Sequence, residues 1–184
     1  MIRFLRNRFF RTLHDDESGS ATVEFVIVFP VFITMMTMSV ELGLVTMRHT
    51  LVERGMDMAV RDLRLGTGRF AGEQTQIHDQ IKAAVCENAL LLADCETQLR
   101  LEMRSADLFS FTSLDSGIEC TDASEPAKPL KDDSFVPGQA NELMLLRACY
   151  RFNPIFPTEL LGNLVVDDTG QGAIVSMTAF VQEP

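Results

Sequence analysis

The residues with the most distinctive chemistry in this sequence are its four cysteines. All of them lie C-terminal to a long apolar run, as Cys86, Cys95, Cys120 and Cys149. An even number of cysteines on one side of such a run indicates disulfide bonds in an oxidising compartment, with four reduced core cysteines as the alternative. A zinc site is not expected. The chain has no C-x-x-C pair, and neither His49 nor His78 stands at a metal-ligand spacing from a cysteine.

The other polar residues do not form a recognisable catalytic set. A nucleophilic triad needs a base beside its nucleophile. His49 falls in a helical stripe, as a core or interface residue, and His78 opens a charged helix, where we expect it to be solvated. The acid pairs Asp132-Asp133 and Asp167-Asp168 lack the spacing of a calcium loop. The sequence therefore predicts no enzyme, no catalytic residue, no metal site, no cofactor and no small-molecule substrate. Its net charge of -10 argues against nucleic acid as a partner.

The apolar run covers residues 21–40 and contains one charge, Glu24. As a helix it would be roughly 30 Å long, the thickness of the hydrocarbon core of a bilayer. A cleaved secretory signal is shorter and ends in a small-x-small site, which is missing after Val40.

Pro30 removes the helical hydrogen bond to the carbonyl of Val26, so a kink or local loosening is expected. Four arginines precede the run, so the positive-inside rule predicts a cytoplasmic N-terminus and an exported C-terminal domain.

Residues 19–43 resemble the processing site and N-terminal helix of the type IV pilin superfamily. The resemblance is carried by Gly19-Ser20-Ala21-Thr22-Val23-Glu24-Phe25, the apolar run and Pro30. The stretch V-E-F-x-x-x-x-P is similar to the TadE-like pseudopilins of tight-adherence (Tad/Flp) pili, and residues 148–152 and 179–181 are similar to that family less specifically. Major Flp pilins usually carry tyrosine at the position of Phe25 and lack so large a C-terminal domain. The resemblance therefore favours a minor pseudopilin.

The resemblance implies that a prepilin peptidase cuts after Gly19, that Ser20 becomes the N-terminus and that Glu24 becomes the fifth mature residue. Glu24, Phe25 and Pro30 are the implied recognition and assembly residues. The implied domains are a cytoplasmic leader (1–19), a transmembrane helix (20–41) and an extracytoplasmic pilin-like α+β domain (42–184). Such a protein crosses the bacterial inner membrane once and places its C-terminal domain in the periplasm or outside the cell.

The implied function is structural: a minor pseudopilin that helps initiate, cap or regulate a Tad/Flp-type pilus. Its implied partners are the prepilin peptidase, other pilins and pseudopilins, the Tad secretion machinery and the membrane. A membrane-tethered binding or sensor domain is the alternative function. A more distant alternative is a tethered hydrolase, whose catalytic acids the sequence does not single out.

Residue spacing gives Glu24 a chemical role that fits this resemblance. Cleavage after Gly19 would create an ammonium group on Ser20, which stands four residues before Glu24 and therefore on the same helix face. The carboxylate could neutralise its own amine or that of a neighbouring subunit, and in a low dielectric such pairing rewards correct stacking. The alternative is an acid that snorkels to the headgroups and has no partner.

The sequence beyond the apolar run predicts an α+β domain. The helix should continue to about Leu65 and end at Gly66-Thr67-Gly68, because an apolar stripe follows it in steps of three and four: Leu42, Val45, His49, Val52, Met56, Ala59 and Leu63. This stripe should pack on the sheet of its own domain, with neighbouring subunits as the alternative. We expect a second helix over residues 74–93, a half-buried strand over 99–104, a long loop over 105–140, and strands over 142–152 and 173–181. The expected fold is thus two helices and a small antiparallel sheet.

Four cysteines allow three pairings, of which we favour Cys86–Cys95 with Cys120–Cys149. An unbroken helix would separate Cys86 from Cys95 by about 13.5 Å along its axis, and a disulfide needs Cα atoms within about 7 Å. The first pair therefore requires the second helix to end near residue 93 and the chain to reverse into the next strand. The second pair would tie the proline-rich loop to the strand over 142–152.

Overall fold

The computed structural model describes residues 20–65, 68–106, 120, 135–156, 166 and 170–183. The chain divides into an N-terminal unit, Met1–Val40, and a C-terminal unit, Glu41–Pro184. The elements in chain order are three helices, α1 (Ser20–Arg64), α2 (Gln74–Asn88) and α3 (Cys95–Gln98), and three strands, β1 (Leu99–Ser105), β2 (Leu143–Phe152) and β3 (Gly172–Val181). A long apolar helix, a second helix and a small antiparallel sheet are the α+β fold that the sequence predicts.

Helix α1 begins and ends within one residue of its predicted bounds. The end is favourable for a helix, because Arg61 and Arg64 place positive charge in the last turn, next to the negative end of the helix dipole. Of the predicted glycine cap, residues 66 and 67 lie outside the described residues. Gly68 adopts a φ of +70°, a conformation that glycine enters without strain.

The apolar stripe of α1 packs on the domain's own core, as predicted, but only along its second half. Val52, Met56 and Ala59 are almost fully buried in one cluster with residues of α2 and the sheet. Leu42 is 56% exposed, so its predicted place in the stripe was wrong. Gly55 lies where a Cβ would come within 2.5 Å of the Val85 carbonyl oxygen, so only glycine lets α1 approach α2 this closely.

Helix α2 starts as predicted and ends five residues early, at Asn88. Its start is fixed by a capping box, in which Glu73 and Gln76 accept hydrogen bonds from each other's backbone N–H groups. After the helix, Leu91 and Asp94 adopt φ angles of +80° and +51°, which no helix allows. The chain reverses there into α3, and the hydroxyl of Tyr150 in β2 donates a hydrogen bond of 2.8 Å to the carbonyl of Ala93 at the turn. Leu91 is 80% exposed at this turn, whereas Leu92 is partly buried against the core.

The sheet has the order β1-β2-β3 with both pairings antiparallel. One face belongs to the hydrophobic core and carries these residues from the three strands: Leu99, Leu101, Met103, Met144, Leu146, Ala148, Tyr150, Phe152, Ile174 and Phe180. On the other face, which we call the far face, Arg100 and Glu102 are only 7% and 4% exposed. The half-buried β1 predicted from its alternation was therefore wrong, because both faces of this strand are buried. Glu102 lies opposite Arg147 in the register and accepts a hydrogen bond from its guanidinium.

His78 was predicted to be solvated and is instead 6% exposed. Its ring contacts Phe135 edge to face, with ring centres 5.1 Å apart, and its Nδ1 lies 3.0 Å from a carboxylate oxygen of Asp79. Phe135 is itself fully buried and forms a parallel bridge with Met103 of β1. The segment predicted as a loop thus returns to the core at Phe135, and His78 is covered by that return.

The burial of His78 gives the stability of the fold a predictable pH dependence. Burial lowers the pKa of His78 below its ordinary value, although Asp79 opposes the shift. The unfolded chain therefore takes up a proton at a pH where the folded chain does not, and the free energy of unfolding falls as the pH drops below about 6.5. We expect the full-length protein in detergent micelles to lose thermal stability on acidification from pH ~7.5 to pH ~5, and His78→Gln to lose less. Equal losses in the two proteins would contradict this assignment.

Candidate functional site

The first half of α1 exposes an apolar surface along its whole length. Every residue from 21 to 33 is exposed, and the large apolar side chains among them are 36–66% exposed. The described residues contain one helix whose length and composition allow it to cross a membrane. An exposed apolar surface of this size is unfavourable in water. The acyl chains of a lipid bilayer would cover it.

Three hydroxyl groups in this stretch donate hydrogen bonds to carbonyl oxygens of the helix itself. Thr34 donates to the carbonyl of Val31 at 2.8 Å, Thr37 to that of Thr34 at 2.9 Å, and Ser39 to that of Met35 at 2.8 Å. A polar group that lacks a partner in hydrocarbon costs several kcal/mol, on the order of 2–7. These three hydroxyls therefore add little to the cost of placing the helix in a bilayer.

The predicted processing and assembly residues lie at the start of this helix. Ser20 is the first residue of α1, and Gly19 lies outside the described residues. Glu24 is one turn further on, at the side of a shallow groove of about 500 Å³ formed by Ala21, Glu24, Phe25, Val28, Phe29 and Phe32. The rings of Phe25 and Phe29 stack with their centres 4.7 Å apart. The structure thus places one acid beside a strip of aromatic rings on a single helix face.

Pro30 lies inside α1 and does not end it. The residue has no N–H, so the carbonyl of Val26 lacks its usual helical donor. In a membrane helix this loss is tolerated, because nearby groups take over the freed carbonyl. Pro30 is thus compatible with a helix that continues from Ser20 to Arg64.

A second acid, Glu41, was missed by the sequence reasoning. It is 2% exposed, and its Oε2 accepts hydrogen bonds from the backbone N–H groups of Ile155 (3.0 Å) and Phe156 (3.2 Å). Its Oε1 lies 3.9 Å from Nη1 of Arg48, whose guanidinium lies 4.7 Å from the ring centre of Phe152. The sequence signal was present. Glu41 and Arg48 stand seven residues apart, about two turns along one helix face, at the end of an apolar run.

The four cysteines form two disulfides, Cys86–Cys95 and Cys120–Cys149, which are the pairs favoured from the sequence. Their Cα atoms lie 5.7 Å and 5.3 Å apart. The first disulfide closes the reversal between α2 and α3. The second joins Cys120, from the proline-rich segment, to the buried Cys149 on the far face of β2.

The other polar groups of the C-terminal unit are dispersed. Within the described residues, no three His, Cys, Asp or Glu side chains lie close enough together to hold a metal ion. His49 is half exposed beside Glu53, with 3.5 Å between its Nδ1 and the carboxylate, so it is not a core residue. An open cleft of about 530 Å³ lies between the end of α1 and β3, and its charged lining residues are Asp57, Arg61, Arg64 and Glu183.

Residues 19–61 match the model of a protein family described as TadE-like protein. No curated protein and no solved structure matches the chain. The matched segment begins at Gly19, contains Glu24, Phe25 and Pro30, and ends near the end of α1. The resemblance read from V-E-F-x-x-x-x-P is thereby confirmed. The matched family suggests a component associated with Tad pili.

Proposed function

We propose that this chain, whose residues 19–61 match the TadE-like family model, is a minor pseudopilin that helps initiate, cap or regulate a Tad-type pilus. The observation that carries the proposal is the family match over residues 19–61 together with a long apolar helix that holds a single acid, Glu24, between Ser20 and Val40. A fibre subunit needs a long apolar helix for packing and little else. The folded C-terminal unit with its two disulfides suits a subunit present in few copies at a defined place.

The proposed layout is a cytoplasmic leader (1–19), a transmembrane helix (20–41) and an extracytoplasmic domain (42–184). The apolar exposed helix supports the span, and the arginines before it support a cytoplasmic N-terminus. Two disulfides support an oxidising compartment for the C-terminal domain. Together they favour a single-pass protein of the bacterial inner membrane.

In this proposal Glu24 works with the new N-terminus. Removal of the leader after Gly19 places an ammonium group on Ser20, one helical turn from the carboxylate of Glu24. The strip formed by Phe25, Phe29 and Phe32 then supplies a face for packing against the helix of another pilin. The proposed partners are the prepilin peptidase, which removes the leader, and the pilins and secretion machinery of the Tad system.

The second candidate function, a tethered binding or sensor domain, would use the cleft between α1 and β3. Its lining holds two arginines and two acids, and Arg64 and Glu183 lie 3.8 Å apart across it. A ligand of mixed charge would suit such a lining. Leader processing separates the two functions, because a tethered sensor has no need of a free N-terminus at Ser20.

The test of the proposed function is N-terminal sequencing of the membrane-extracted protein. We expect the mature chain to begin at Ser20 when an active prepilin peptidase is present and at Met1 when the peptidase is inactivated. Gly19→Arg should block the cut and leave membrane insertion intact, because the apolar run and the arginines before it are unchanged. A chain that still begins at Met1 beside an active peptidase would refute the pseudopilin assignment.

A further inference from the structure

The short segment that leaves β2, residues 153–156, exposes an apolar tip. We call it the β2-exit loop. Ile155 is 55% exposed, Phe156 is partly exposed, and Pro154 between Asn153 and Ile155 is buried. The loop is held in place through its backbone, because the N–H groups of Ile155 and Phe156 both donate to the Glu41 carboxylate. The side chain of Ile155 is thus free to contact something else.

Glu41, whose carboxylate binds the β2-exit loop, stands at the end of the apolar run. Glu41 directly follows Val40, and residues 21–40 are long enough, at roughly 30 Å, to fill the hydrocarbon core by themselves. A carboxylate in the next position therefore lies at the boundary between acyl chains and headgroups. Since the N–H groups of Ile155 and Phe156 lie within 3.0–3.2 Å of this carboxylate, the loop lies at the same boundary.

The contacts around Glu41 keep the loop from moving away. Arg48 lies close to the free oxygen of Glu41 and stacks on Phe152, the last residue of β2. Breaking the contact would leave a buried carboxylate and two N–H groups without their partners, which is strongly unfavourable. Leu42, 56% exposed on the same turn of α1 as Glu41, adds a second apolar side chain at this level.

We propose that the β2-exit loop is a second membrane contact, which inserts Ile155 and Phe156 into the lipid at the headgroup–acyl boundary. The proposal rests on the membrane span of the proposed function and is independent of pilus assembly. Apolar side chains at this depth bind by burying area a few ångströms into the bilayer, about 5–10 Å. The contact would fix the C-terminal unit against the membrane surface at one point, in addition to the covalent link through α1.

The opposite end of the same unit supplies the matched control. The amide of Gln182, just after β3, donates to the carbonyl of Leu63 at 3.1 Å. Leu63 stands about 33 Å from Glu41 along the axis of α1. Val181 precedes Gln182 and is 45% exposed, close to the exposure of Ile155. A tryptophan at position 181 therefore has an exposure similar to that of one at position 155, but it lies far from Glu41 and the end of the apolar run.

The sequence contains no tryptophan, so a single introduced tryptophan reports its own surroundings. The experiment uses the full chain in phosphatidylcholine vesicles whose acyl chains are brominated near the headgroup or, in a second set, near the chain end, with three variants: Ile155→Trp, Val181→Trp and Phe32→Trp. We expect Ile155→Trp to show blue-shifted emission and to lose much of its fluorescence to the brominated lipid. Val181→Trp should keep the emission of a hydrated indole and lose little. Phe32→Trp, in the apolar run, should be quenched.

The three variants distinguish a failure of the loop's lipid contact from a failure of the membrane span. If Phe32→Trp is quenched and Ile155→Trp is not, the span is in the bilayer and the lipid contact of the loop is refuted. If Phe32→Trp is not quenched either, the membrane span itself fails, and the proposed function fails with it. Equal quenching of Ile155→Trp and Val181→Trp would also refute the proposal, because the contact would not belong to the loop.

Discussion

Glu24→Leu is expected to leave the protein in the membrane and to abolish its incorporation into pili. A carboxylate deep in a bilayer costs about 2.5–3.5 kcal/mol, and less near the interface. Replacing it with leucine removes that cost, so anchoring stays the same or becomes stronger. In the proposed function Glu24 pairs with the ammonium group on Ser20, so the variant would lose this pair and, with it, the charge that fixes the register of the helix against a neighbour.

The measurement combines membrane fractionation with counting of surface pili in a strain that carries only the variant gene. Glu53→Leu is the matched control, because Glu53 lies on the same helix, outside the apolar run, with 51% of its side chain exposed. The control should be indistinguishable from wild type in both assays. Normal piliation with Glu24→Leu would leave only the interpretation that Glu24 snorkels to the headgroups and sets no register.

Arg147→Met is expected to destabilise the C-terminal unit by about 3–5 kcal/mol, because it leaves the Glu102 carboxylate buried without its cross-strand partner. Glu102 and Arg147 are 4% and 8% exposed and lie opposite each other on β1 and β2. The double variant Glu102→Leu with Arg147→Met removes both charges, and we expect it to recover most of the loss.

Denaturant unfolding of the full-length protein in micelles, followed by circular dichroism, measures both variants. Arg64→Met provides the comparison for an exposed ion pair, since Arg64 and Glu183 are each 52% exposed and 3.8 Å apart. This change should cost less than about 1 kcal/mol. If the double variant were as unstable as Arg147→Met, the damage would come from lost packing and not from an uncompensated charge.

Elements with a regular local pattern could be predicted from the sequence. Helix α1 and the strands β2 and β3 were predicted to within one residue of their bounds, because apolar runs and periodic stripes depend only on neighbouring residues. Gly19, Ser20 and Glu24 could be singled out for the same reason. Their roles stay a prediction, which depends on a spacing of a few residues.

Features that depend on distant segments could not be predicted. The alternation in β1 predicts one solvent-exposed face, and Arg100 and Glu102 are nevertheless buried, on the sheet face where Cys149 bonds to Cys120, 29 positions away in sequence. His78 is covered by Phe135, which lies 57 residues further along the chain. Glu41 was missed because its hydrogen-bond donors stand more than one hundred positions away, with sequence separations of 114 and 115. No local pattern encodes such pairings.

The place of β3 near the end of the chain determines the order in which this domain can fold during synthesis. The core face of α1 is made first, and β3, the last strand to join the same core, is made about 120 residues later. At typical rates of about 5–20 residues per second, the apolar face waits roughly 6–24 s for β3. Cys86 and Cys95 are only nine residues apart, so their bond can form early in that interval. Cys120 must wait for Cys149 in β2, so the nascent chain acquires its local crosslink well before its long-range one.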